Sequence, residues 1–153
     1  MEKVYLKYGI GIAIALIAYF LLTKVLGLHQ YPVLSAANAV IFGAGILLAM
    51  KTYKANKSNF KYEKGFQLGL FTGGIATILF AIFMSVYIFM IDTQFAHAIL
   101  DSWGLNFNKG ALIVIVSLVM MGFSTTLVLT LAFMQLLKES WNTPEGKRNT
   151  MSK

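Results

Sequence analysis

GFQLGLFTGGIATILFAIFMSVYIFMI, residues 65–91, holds no charged side chain from end to end. A helix needs about 20 mostly apolar residues to cross a hydrocarbon layer of about 30 Å, and this run exceeds that length. Working outward, three more apolar runs appear at about 5–23, 33–50 and 111–137, each near the same length. The pattern predicts an all-α, polytopic membrane protein. Residues 1–142 form a single domain of four transmembrane helices, and 143–153 form a polar cytoplasmic tail. The second span, at 33–50, reads as the shortest of the four.

Composition agrees. The chain is 58% hydrophobic and 12% charged, whereas about a quarter of the residues of an average soluble domain are charged. It has no cysteine, which removes disulfides, thiolate metal sites and cysteine nucleophiles. A net charge of +7 would raise the question of nucleic acid in a soluble protein. Here its distribution gives a different answer. Lys3 and Lys7, then Lys51, Lys54, Lys57, Lys61 and Lys64, then Lys138, Lys147, Arg148 and Lys153 all fall on one side of the four spans. Only Lys24 and Lys109 fall on the other. Lysine and arginine in short loops mark the cytoplasmic face, so both termini are expected inside. The first span resembles a signal peptide only at its start. Its apolar run continues from Gly9 to Leu22 with no small-residue cleavage pattern before Lys24, so a retained helix is expected.

The third span is the most patterned. Gly65, Gly69, Gly73, Thr77, Ala81 and Ser85 put a small residue at every fourth position. Lipid supplies little hydrophobic drive between helices, so association depends on close contact, which small side chains permit. The expected role is helix packing, against the first span, the last span or another copy of the chain. Four residues advance a helix by about 400°, so the stripe drifts by about 40° per step and no straight partner follows all six. The loop at 51–64 interleaves Lys51, Lys54, Lys57, Lys61 and Lys64 with Tyr53, Phe60 and Tyr62, a composition suited to an anionic-lipid interface. A docking site for an acidic partner is the alternative.

Between the third and fourth spans, Asp92 stands where an N-cap is useful. Phe95, Ala96, Ile99, Leu100 and Trp103 form one apolar side, and Gly104 follows as a C-cap. This predicts a short amphipathic helix at the outer membrane interface. His97 and Asp101, four apart, share one of its faces, but one imidazole and one carboxylate are too few for a metal site.

The deep interiors of the spans contain no Asp, Glu, Lys, Arg or His. Ionisable groups at membrane depth are costly and usually mark proton relays, ion paths or catalysis, so their omission argues against an enzyme, a metal centre or any cofactor. Two functional expectations remain. One is a non-catalytic membrane component, an accessory subunit of a larger membrane complex or a homo-oligomer packing through helix three. The other is a small transporter or channel for a neutral or lipidic solute, with Asn38, Ser117, Ser124, Thr125 and Thr130 as its polar lining.

Tyr62-Glu63-Lys64-Gly65-Phe66-Gln67-Leu68-Gly69, opening a long helix that reaches Ile91-Asp92, resembles the bacterial membrane family known as domain of unknown function 4199, found mainly in Bacteroidota. The shared plan covers most of the chain: four spans, a basic middle loop and an extracytoplasmic segment before the last helix. Members often carry Pro after the Asp, where this chain has Thr93. The resemblance implies a bacterial inner membrane and assigns no activity and no catalytic residue.

Overall fold

A computed structural model of the chain describes residues 2–28, 32–56, 62–102, 104 and 110–137. Helix α1 spans Glu2–Val25, α2 Pro32–Ala55, α3 Tyr62–Val86, α4 Phe95–Ser102 and α5 Gly110–Leu137. A π-helical turn, Tyr87–Ile91, continues α3. Four helices are long and apolar enough to cross a membrane, and the chain is a multi-pass membrane protein. Helical structure is forced on such segments, because hydrocarbon offers the backbone no other hydrogen-bond partner.

The spans alternate in direction. The near face of the bundle holds the starts of α1 and α3 and the ends of α2 and α5. The far face holds α4 and the opposite ends. At the near face the Tyr8 and Thr52 hydroxyls hydrogen-bond at 2.8 Å, and Lys54 Nζ donates to the Leu137 carbonyl at 2.8 Å. Helix α2 is longer than expected. It runs on to Ala55 because Lys51 and Lys54, which end the apolar run, are good helix formers whose charged heads reach headgroup level. Lys51 and Lys64 are exposed, as a lipid-facing role requires. Lys54 instead covers the orphan carbonyls at the end of α5. Lys57 and Lys61 lie outside the described residues, as do His29, Trp103, Lys109 and the 143–153 tail.

Helix α3 is the axis of the bundle, touching α1, α2 and α5. Against α1, a Cβ on Gly9 would lie 3.0 Å from the Thr72 carbonyl. Against α5 the packing is reciprocal. Gly69 receives Thr130, Gly73 receives Thr126, and Gly122 of α5 receives Thr77. Each helix thus offers three small residues at four-residue spacing, and they interlock in antiparallel order. The middle of the small-residue stripe is filled from within the chain, by α5. The rest of the stripe follows the predicted drift. Gly65 and Ala81 are buried, while Ser85 is half-buried and donates to the Ala81 carbonyl at 2.7 Å.

At the far face α1 ends in a Schellman turn. Leu28 N–H donates to Thr23 O at 2.9 Å and Gly27 N–H to Lys24 O at 3.1 Å, with Gly27 at φ +68, a conformation glycine adopts without penalty. Helix α4 turns its apolar side into the protein. Ala96 and Leu100 are buried with Tyr87, Ile88 and Val114, so α4 closes the end of the bundle, while His97 and Asp101 face outward.

Candidate functional site

Helices α2 and α5 run parallel and meet only over part of their length. In the near half Gly43 lets Leu129 and Phe133 of α5 approach α2, with 3.5 and 3.7 Å from a notional Cβ to their nearest atoms. Farther along the two helices part, and a cleft of about 240 Å³ remains between them. Leu16 of α1 and Thr77 and Phe80 of α3 lie behind it. Asn38, Ala39 and Phe42 form one wall, and Leu118, Met121, Gly122 and Thr125 form the other. Ala39 and Met121 are exposed at its rim. The near-half contact bounds it on that side, and it opens laterally between the two helices.

Its chemistry is mostly apolar with three polar side chains, Asn38, Thr77 and Thr125. The Asn38 carboxamide oxygen is shielded from solvent and has no hydrogen-bond partner among the described residues. Thr77 Oγ1 is also shielded and unpartnered there, lying against Gly122. Thr130 Oγ1 is likewise shielded and unpartnered among the described residues, but two other threonines in the spans satisfy themselves. Thr72 donates to Leu68 O and Thr126 to Gly122 O, both at 2.7 Å, the usual arrangement for a hydroxyl inside a membrane helix. A shielded acceptor left without a donor costs about 1–3 kcal/mol. The Asn38 carboxamide is thus an unsatisfied polar group in the wall of an otherwise largely apolar recess.

Of the five residues predicted to line a polar path, the structure brings together Asn38 and Thr125. Thr130 is turned away toward Gly69 of α3. Ser124 is exposed on the outer side of α5, and Ser117 is half-buried outside the cleft lining. The convergent channel lining is thus corrected to a two-residue pair joined by Thr77. The sequence reading had assigned Thr77 to helix packing only, and its position is shared because Gly122 belongs to both features. No group of three or more potential metal ligands occurs among the described residues.

A second polar feature lies at the far face. Lys24 Nζ donates to Asp92 Oδ2 at 2.9 Å, and the two side chains keep only 27% and 28% of their surface exposed. The ammonium also sits 4.8 Å from the centroid of the Phe95 ring. Phe20 lies edge-on to Tyr87 and Phe95, at 5.1 and 5.7 Å, so the ion pair rests on an aromatic floor. Asp92 Oδ1 accepts from Phe95 N–H at 3.1 Å, which fulfils its expected capping role. The hydrogen bond from Lys24 holds the Asp92 carboxyl below its ordinary value. Partial burial opposes that shift, while the Lys24 charge and the Phe95 and Gln94 N–H groups add to it. The sequence had put both residues at the interface. That they are opposite charges on one face was the available signal for pairing.

The chain matches no protein-family model, no curated protein and no solved structure. The resemblance carried by Gly65-Phe66 and Ile91-Asp92 therefore rests on those motifs alone.

Proposed function

We propose that this protein is a non-catalytic membrane protein that holds a neutral, amphiphilic or lipidic molecule in the cleft between α2 and α5. The observation that carries the reading is the unpartnered carboxamide oxygen of Asn38 at the wall of an otherwise apolar recess. No charged residue lines the cleft, which favours a neutral ligand, and its rim between two spans favours approach from the hydrocarbon layer. With the Asn38 side chain turned into the cleft, a bound hydroxyl or amide would donate to its carboxamide oxygen while the ligand's apolar body contacts Leu16, Phe42 and Phe80. We place the near face in the cytoplasm of a bacterial inner membrane, since Lys3, Lys7, Lys51, Lys54 and Lys64 all belong to it.

The test is gentle extraction from the native membrane followed by mass spectrometry of everything that leaves with the protein. We expect a neutral amphiphile at about one per chain, retained roughly tenfold less by Asn38→Leu, the factor set by one lost hydrogen bond. Ala39→Trp, which fills the rim, should displace it altogether. Equal retention by wild type and both variants would refute a ligand in the cleft. A second reading, an accessory subunit, draws on α5. Only 11% of its apolar span is buried, against 33% to 39% for the other three, which leaves room for a partner helix. A stoichiometric membrane protein in the same extract would favour it.

A further inference from the structure

A second cavity, of about 440 Å³, runs along the outside of the bundle between α1 and α2. It is separate from the cleft and lies on the other side of α2. Its floor is closed by Ile12, which packs directly onto Gly45. Lys7, Gly11 and Ala15 form one bank at four-residue spacing, and Ala44 and Leu48 stand on the other. Gly11 is unlike the bundle's packing glycines. A Cβ there would meet nothing within 4 Å, so its missing side chain serves no contact inside the chain and leaves the groove open.

The groove has direction. From Lys7 to Ala15 it covers roughly 12 Å at 1.5 Å per residue, close to the thickness of one leaflet of a hydrocarbon layer of about 30 Å. It begins at the near face and stops near mid-membrane. The trough is open to the outside along the bundle, so an acyl chain of the surrounding lipid can lie in it. At its near end stand the exposed cations Lys7 and Lys51, the latter three residues beyond Leu48 on the same side of α2. The Tyr8–Thr52 hydroxyl pair ties the two helices together between them. No carboxylate lines the groove. A cationic mouth at headgroup level, opening onto an apolar trough of one-leaflet length, complements one class of molecule.

We infer that the α1–α2 groove is a binding site for an anionic glycerophospholipid of the near leaflet, with an acyl chain along Gly11 and Ala15 and the phosphate between Lys7 and Lys51. This does not depend on the cleft between α2 and α5. The selectivity expected is about fivefold per lysine over a zwitterionic lipid with the same acyl chains, the usual effect of one basic residue near an anionic membrane surface.

The experiment is native mass spectrometry of the full chain in detergent, titrated with phosphatidylglycerol or phosphatidylcholine of matched chains. One phosphatidylglycerol should persist at concentrations where phosphatidylcholine is lost. Lys7→Gln with Lys51→Gln should remove that preference, and Gly11→Leu, whose side chain enters open space, should abolish retention of either lipid. Asn38→Leu should change neither result, which keeps a failure here distinct from a failure at the cleft. Equal retention of the two lipids, or unaltered phosphatidylglycerol binding by Gly11→Leu, would overturn the assignment. So would a dimer dispersed by Gly11→Leu, since a second copy would then occupy the groove.

Discussion

Gly73→Leu combined with Gly69→Leu is expected to detach α5 from α3. A Cβ at Gly69 would sit 2.5 Å from Thr130 Cγ2 and 2.7 Å from its Oγ1, and Gly73 meets Thr126 equally closely. These are short, β-branched side chains with little freedom to turn aside. Overpacking one core site costs about 1–3 kcal/mol, and here two adjacent steps of a single interface fail together. In lipid no hydrophobic drive compensates for the lost contact. The chain has no cysteine, so an introduced pair reports the interface without background. Thr77→Cys with Gly122→Cys is suitable, because a Cβ at Gly122 would lie 3.1 Å from Thr77 Cβ, so an outward shift of about half an ångström brings the pair into the roughly 3.5–4.5 Å that a disulfide spans. That crosslink should form readily in the parent and fall at least about tenfold when both leucines are present. An unchanged yield and an unchanged melting temperature would refute the interlocked packing. Ser124→Leu, on the exposed side of α5, is the matched control and should alter neither.

Asp92 is expected to have the next largest effect, because two elements depend on it. Asp92→Ala removes the partner of Lys24 and the cap of α4 together. Asp92→Asn keeps an acceptor for Phe95 N–H and loses only the charge, since Asn and Asp cap comparably. Hydrogen exchange across α4 should accelerate at least about tenfold in Asp92→Ala, less in Asp92→Asn, and by a similar smaller amount in Lys24→Met, which also vacates the Phe95 ring. The pH dependence follows from the lowered carboxyl of Asp92. A group whose folded value is depressed contributes stability above its unfolded value, near 4, and loses it as pH falls through the lower folded value. Protection of α4 should therefore be flat from pH 7 to about pH 5 and decline below 4 in the parent. Asp92→Asn should lack that decline, and an identical acid profile in the two would show that the ion pair does not hold α4 in place.

The four spans were legible because their signal is compositional. Length and the lack of charge settle them whatever the helices touch. Helix α2 was underestimated for the same reason, since Lys51 and Lys54 end the apolar run without ending the helix. The glycine stripe was legible as a packing face, but its partner was not, because periodicity on one helix says nothing about the helix opposite. A complementary signal was present in Gly122, Thr126 and Thr130, three small residues at the same spacing in the last span. The polar lining failed in part for a geometric reason. Thr125 and Thr130 are five apart, about 140° around a helix, and cannot both face one recess. Asn38 and Thr125 come from helices distant in sequence, so their meeting depends on tertiary geometry alone.

The wide turn at Tyr87–Ile91, where Asp92 N–H reaches back five residues to Tyr87 O at 2.9 Å, is in effect a one-residue surplus stored within a helix. At 3.6 residues per turn, one residue is worth about 100° of phase. Deleting Met90, an exposed side chain within the turn, would restore uniform winding and leave every upstream contact intact. Wound as regular α-helix without that deletion, the same residues would carry Asp92 about 100° farther around the axis, out of line with Lys24. The alignment of the far face is thus written in the count of residues as much as in their identities.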